Sequence, residues 1–182
     1  MSKDTKEYKN HTIDIAIDEN PDSPRTWSNT CVFHIIHKKY AFGDKNYSSM
    51  EAFLEVIKEA RRNKDIVLPL YMYDHSGITI SLTPFACKWD SGQVGVVIIP
   101  RETMLKNFNK KTFTSALKKK ALKIAESEVD IMNKYLQGYV YGYIVDAIHS
   151  CWGYYSVEDA VSEAKSIIDD VIIEETLKLT NR

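Results

Sequence analysis

Cysteine is scarce in this chain, and its placement excludes more than its number does. Only three of the 182 residues are cysteine, Cys31, Cys87 and Cys151, an odd count with no pair at CxxC spacing. That usage fits reduced thiols in a cytosol and excludes a disulfide framework. Seven glycines and five prolines form no linker, and there is no internal repeat or low-complexity tract. No window approaches about 18 consecutive apolar residues, so a membrane-spanning helix is excluded. The N-terminal "MSKDTKEYKNHT" lacks the apolar core of a secretory signal. Neither sign of charge dominates, with 24 Lys and Arg against 25 Asp and Glu.

The length suits one domain over residues 1–182, large enough to bury roughly 70% of its unfolded surface without metal or disulfide. Strand signals come first. "HTIDIAI" (11–17) alternates Ile13, Ile15 and Ile17 with Thr12, Asp14 and Ala16, the period-two pattern of a half-buried strand. "DENPDSPRTW" carries Pro21 and Pro24 and reads as a loop. "TCVFHIIHKKY", "IVLPLYMYD", "GITISL", "QVGVVIIP" and "YVYGYIVDAI" supply five further strands rich in β-branched and aromatic residues. Ser48 and Glu51 form a capping box for a helix to about Arg62. A longer helix runs from Thr112 to about Leu136 and stops at Gly138 as its C′ residue. Ser156 with Asp159 opens an acidic C-terminal helix over 156–180. The order predicts an α+β protein: one mainly antiparallel or mixed sheet of about six strands, with three helices packed on one face.

Chemistry-bearing residues crowd two short strings, "YDHSG" (73–77) and "KWDSG" (88–92). Cys87, His75 and Asp90 are the residue types of a nucleophile, a base and an orienting carboxylate. The turn reading is preferred, because no nucleophile elbow precedes the cysteine and nothing in the sequence places the three together. On that reading both strings are hairpin corners, with Gly77 taking positive φ and Asp74 capping backbone amides. Two sets of residues have the chemistry of metal ligands, His75, Cys87, His149 and Cys151 for zinc, and Asp18, Glu19, Asp22, Asp74 and Asp90 for a hard cation, against the ordinary reading of solvation and capping. The spacing supports neither. Tyr139, Tyr141 and Tyr143 share a strand face and invite comparison with base-stacking sheets. With little bulk on the opposite face, packing under a helix is preferred.

The charge is distributed in blocks. Between 101 and 123 eight basic residues face Glu102 alone, and between 156 and 175 seven acidic residues face Lys165 alone. Lys110, Lys111, Lys118, Lys119, Lys120 and Lys123 form a basic face suited to phosphate by counterion release, without base reading. Glu158, Asp159, Glu163, Asp169 and Asp170 form an acidic face suited to a basic protein surface. The basic face is also what a long amphipathic helix shows to solvent, and the acidic helix equally suits pairing with the lysine helix of the same molecule, which would cancel both patches.

The strings "IDENPDSPRTWSN", "LPLYMYDHSGITISLTPFACKWDSGQVG", "GYVYGYIVD" and "SCWGYY" occur in that order. Together they resemble a family of small proteins encoded by phages and mobile elements of Firmicutes, and the chain looks like a type II-A anti-CRISPR, a Cas9 inhibitor, of that group. The likeness spans about residues 13–155 and leaves out the acidic helix. The family has aspartate where this chain has His149, so that position is no fixed ligand. The resemblance implies a phage counter-defence protein of the bacterial cytoplasm that inhibits Cas9, or the Cas9–guide RNA complex, by stoichiometric binding. It implies no catalytic residue and no cofactor. The lysine face would then meet DNA or guide RNA, and the acidic face Cas9 itself. Two alternatives are a small Cys/His hydrolase of a nucleotide or defence signal, using Cys87, His75 and Asp74 or Asp90, and a nonspecific DNA-binding accessory protein.

Overall fold

A computed structural model describes residues 4–180, with side chains described as far as Ile173. The elements in chain order are β1 (Asp4–Tyr8), β2 (His11–Ile17), a 3-10 turn (Pro24–Thr26), β3 (Val32–Ile36), β4 (Lys45–Tyr47), α1 (Met50–Arg62), β5 (Ile66–Asp74), β6 (Ile78–Ser81), β7 (Ser91–Ile99), α2 (Arg101–Asn107), α3 (Ser115–Leu136), β8 (Tyr141–Val145), β9 (His149–Tyr154) and α4 (Val157–Thr180). The α+β class is as expected. The expected single sheet is instead two, of order β1-β2-β8-β9 and β4-β3-β7-β5-β6. The chain divides into two compact units, one built from its two ends (up to Asp22 and from Gly138), the other from Ser23–Gln137. No helix among the described residues is long and apolar enough to cross a membrane.

The unit built from the ends is a wholly antiparallel sheet with one helix on it. Ile13 and Ile15 of β2 and Tyr143 and Val145 of β8 are buried with Ala160, Ala164 and Ile168 of α4. The i, i+4 spacing puts two alanines and an isoleucine on one helix stripe, and the small side chains let the helix approach the sheet. Tyr143 therefore lies in the core, Tyr141 is partly buried there, and Tyr139 falls outside the strand and is exposed. The thin opposite face is filled from β9, where the Trp152 indole lies directly over Gly142. Lys9 and Asn10, with φ of 49° and 65°, make the two-residue turn between β1 and β2. That turn type matches the twist of the strands it joins.

The central unit is a mixed sheet with helices on both faces, which corrects the expectation of helices on one face only. Along β7, Val97 and Ile99 join Phe33, Ile35, Leu70 and Met72 under α2 and α3, through Met104, Leu117, Ala121, Ala125, Val129 and Met132. Val96 and Ile98 point the other way and pack on Phe53, Ile57 and Ala60 of α1. An unbroken apolar run is the signature of a strand buried on both sides, and "VVII" is such a run. Each of these large side chains contributes about 1.5–3 kcal/mol by leaving water. The cap of α1 is Ser49, whose Oγ accepts from the Ala52 amide at 3.4 Å, rather than the expected Ser48. Thr114 caps α3 by accepting from Leu117, two residues later than the expected start. Gly138, at φ +74°, ends it as expected.

Candidate functional site

The β5–β6 hairpin turns through His75, Ser76 and Gly77, with positive φ at Ser76 and Gly77, as the turn reading requires. The chain then leaves β6 on one side of β5 and enters β7 on the other, so residues 82–90 cross the end of β5. That crossing lays the second string against the first. The Asp74 amide donates to the Asp90 carbonyl at 2.9 Å, and His75 Nδ1 lies 3.5 Å from Asp90 Oδ2. Cys87 Sγ lies 3.8 Å from the same oxygen, and Ser91 Oγ donates to the Cys87 carbonyl.

Two expectations are corrected here. "DSG" at 90–92 is not a hairpin corner, because Ser91 and Gly92 already belong to β7, paired with Tyr73 and Met72. Asp74 does not cap amides with its carboxylate. It accepts from the Tyr40 hydroxyl at 2.7 Å and sits 3.6 Å from Lys39 Nζ. The Tyr40 hydrogen bond, helped by Lys39 and His37, holds the Asp74 carboxyl below the usual carboxylate range.

Cys87, His75 and Asp90 thus converge, but in the order thiol, carboxylate, imidazole, with Asp90 Oδ2 in the middle. A nucleophilic triad needs the imidazole next to the thiol. A carboxylate is a poor base for a thiol, since their ordinary pKa values lie about 4 to 5 units apart. Among the described residues no three His, Cys, Asp or Glu side chains are grouped as a metal site needs. His149 and Cys151 lie exposed on β9, the edge strand of the other sheet.

Beside this corner opens a cleft of about 400 Å³, walled by His37, Asp74, Asp90 and Gln93 and edged by Trp89. Trp89 is 96% exposed. The sequence reading passed over it, although an indole between Lys88 and Asp90 in a polar connector was a signal. A second, more apolar groove of about 810 Å³ shares His37 and runs along Tyr40, Tyr47 and Met50.

The lysine face is formed by α3 and the segment before it. Leu117, Ala121, Ala125, Val129 and Met132 turn into the core, which leaves Lys118, Lys119, Lys120 and Lys123 exposed with Lys110 and Lys111. Lys120 Nζ stands 4.9 Å from the centroid of the Phe108 ring. On α4, Ala160, Ala164 and Ile168 turn inward and Glu158, Asp159, Glu163 and Asp170 outward. Asp169 is engaged within its own unit, accepting from Lys9 Nζ at 2.9 Å and the Tyr8 hydroxyl at 3.3 Å. Those bonds, Lys9 foremost, hold its carboxyl low. Ser156 caps this helix by accepting from the Asp159 amide at 3.0 Å. The acidic side chains of Glu174 and Glu175 lie outside the described residues. Comparison of the chain with protein-family models, curated proteins and solved structures returns no match.

Proposed function

We propose that this chain is a phage-type anti-CRISPR protein that inhibits Cas9 by stoichiometric binding in the bacterial cytoplasm. The observation that carries the reading is the exposed lysine row on α3, backed by a packed apolar stripe. Such a row lies along phosphates and gains affinity by counterion release, without reading sequence. Cas9 holds its guide–target duplex in a positively charged channel and changes conformation before it cuts. An inhibitor with an acidic face for that protein and a basic face for DNA or guide RNA can block either step. Glu158, Asp159, Glu163 and Asp170 are the acidic candidates, with Asp169 already committed to Lys9 and Tyr8.

The test is a cleavage titration of guide-loaded Cas9. Inhibition should saturate near one equivalent of the protein, and the Cys87→Ala variant should inhibit as well as the native chain. A second reading, a Cys/His hydrolase of a nucleotide or defence signal, draws on the convergence of Cys87, His75 and Asp90. It predicts inhibition at far below one equivalent and its loss in Cys87→Ala, an outcome that would overturn the binding reading.

A further inference from the structure

The corner where the two strings meet is built to hold an indole in solvent. Trp89 is 96% exposed, yet its neighbours are pinned: Asp90 through its carbonyl to the Asp74 amide, and Cys87 through its carbonyl to Ser91 Oγ. An exposed indole carried on a backbone anchored beside it is free to lay its face against a flat ligand.

The groups beside it are as specific. Asp74 Oδ2 is taken by Tyr40 and Lys39, and Asp90 Oδ2 by His75 and Cys87. The Oδ1 atom of each carboxylate has no hydrogen-bond partner among the described residues, and both residues line the cleft. Gln93 Nε2 donates to the Gly95 carbonyl at 3.1 Å, which fixes the amide and leaves Oε1 as a further acceptor. His37 Nδ1 accepts from the Lys39 and Tyr40 amides, each at 3.2 Å, so the proton of its neutral ring sits on Nε2. Lys38, Lys39 and Lys88, neighbours in sequence of these wall residues, are exposed.

A ligand for this cleft needs a flat face for the indole, more than one N–H donor for the acceptor oxygens of its wall, and an anionic group for the lysines. Guanine meets the first two demands with N1–H and N2–H₂ side by side on its Watson–Crick edge. Adenine, cytosine and uracil each place an acceptor next to their donor, and an acceptor facing a carboxylate is repelled. The phosphate of a nucleotide supplies the third. A partner's arginine would share the stacking and the fork, but would meet the lysines with like charge. We propose that the cleft between Trp89, Asp74 and Asp90 binds an unpaired guanine base, carried either by a free nucleotide or by a single strand.

This site is separate from the lysine row on α3, which reads no base, and it does not rest on the Cas9 reading. The experiment contains no Cas9, so its failure leaves that reading standing. The full chain is titrated with 5′-GMP, AMP, CMP and UMP while tryptophan fluorescence is followed, with ligand-observed NMR as a second readout. GMP should quench saturably and bind at least about tenfold more tightly than the other three, and Trp89→Ala and Asp90→Asn should each weaken it by about tenfold or more. Both side chains are exposed, so the variants should unfold at the native midpoint, and that control is measured alongside. A TTGTT oligodeoxynucleotide assigns the source. If TTGTT binds more tightly than both TTTTT and GMP, the ligand is a strand, and if it binds no more tightly than GMP, a nucleotide. Equal binding of all four nucleotides, no saturation at millimolar GMP, or unchanged GMP binding in Trp89→Ala would each overturn the proposal.

Discussion

Arg25 and Glu128, 103 residues apart in sequence, are joined by a 3.0 Å ion pair between Nη1 and Oε2. The same guanidinium forks onto Asp44 at 2.9 and 3.2 Å, reaches the Cys31 carbonyl at 2.6 Å and lies 4.0 Å from the centroid of the Phe33 ring. The other Glu128 oxygen accepts from the Thr30 and Cys31 amides. One guanidinium therefore ties the Pro-rich loop to α3, the helix that carries the lysine row. Its side chain is only 6% exposed, so removing it strands two carboxylates where water reaches poorly. Arg25→Ala should cost about 3–5 kcal/mol in urea unfolding. Arg25→Lys should recover only part of that, because an ammonium cannot make the planar fork. A loss below about 1 kcal/mol in Arg25→Ala would show the network to be dispensable.

The lysine row predicts a particular salt dependence. If Lys118, Lys119, Lys120 and Lys123 sit on duplex phosphates, changing all four to Gln should flatten the plot of log affinity against log salt. Each lost phosphate contact is worth about 0.9 in slope, so the change should reach about 3 to 4. The side chains are exposed and the apolar stripe of α3 is untouched, so thermal stability should hold. An unchanged slope in a folded variant would remove nucleic acid from the proposed function.

The elements read from the sequence share one property: a strong periodic pattern that burial later exploits. Ile13 and Ile15 on β2, the "VVII" run of β7, and Leu117 and Ala121 at helical spacing on α3 all lie in the core. The four missed elements lack that pattern. β1 is polar and exposed along most of its length, β4 is three residues long, α2 is seven, and β9 is almost wholly exposed. The three strands among them are held by backbone pairing with a strand adjacent along the chain rather than by an apolar face of their own, so their side chains carry no periodic signal. The division into two sheets is hidden because β2 finds its second neighbour only at β8, more than 120 residues further along the chain. The candidate site was half legible. Local chemistry gave the turn at His75–Gly77, but the crossing of residues 82–90 that delivers Asp90 and Trp89 to it is a matter of strand order.

His34 gives the central unit a dependence on pH well above the carboxylate range. Burial pushes this imidazole below its ordinary value, Lys45 adds to the effect, and Asp44 opposes it. Its Nδ1 is 2.8 Å from the Tyr47 hydroxyl. With the folded pKa depressed below about 6.5, the unfolded chain binds the proton first as pH falls. Stability is therefore lost below pH 6.5, down to the folded pKa, at no more than about 1.4 kcal/mol per pH unit. The depressed carboxylates Asp74, Asp146 and Asp169 act in the same direction but only in the acid range, as pH falls through their own lowered values. Urea unfolding at pH 7 and pH 5 should show a drop that shrinks in His34→Asn. An equal drop in both proteins would assign the dependence elsewhere.

The three thiols should differ in reactivity by environment. Cys31 is 2% exposed, and burial, with the Glu128 carboxylate beside it, pushes its thiol well above the ordinary range. Thiolate, not thiol, attacks a disulfide reagent, so Cys31 is protected twice, by access and by protonation. Cys151 is exposed on β9, and Cys87 is intermediate. A disulfide exchange reagent should titrate two thiols in the native chain, Cys151 ahead of Cys87, and the third only on unfolding. Because Cys31 lies in the core beneath Arg25, its rate reports opening of the central unit. Arg25→Ala should therefore speed the Cys31 reaction while leaving Cys151 unchanged. If Cys31 reacts as fast as Cys151 in the native protein, the network around Arg25 does not close that part of the core.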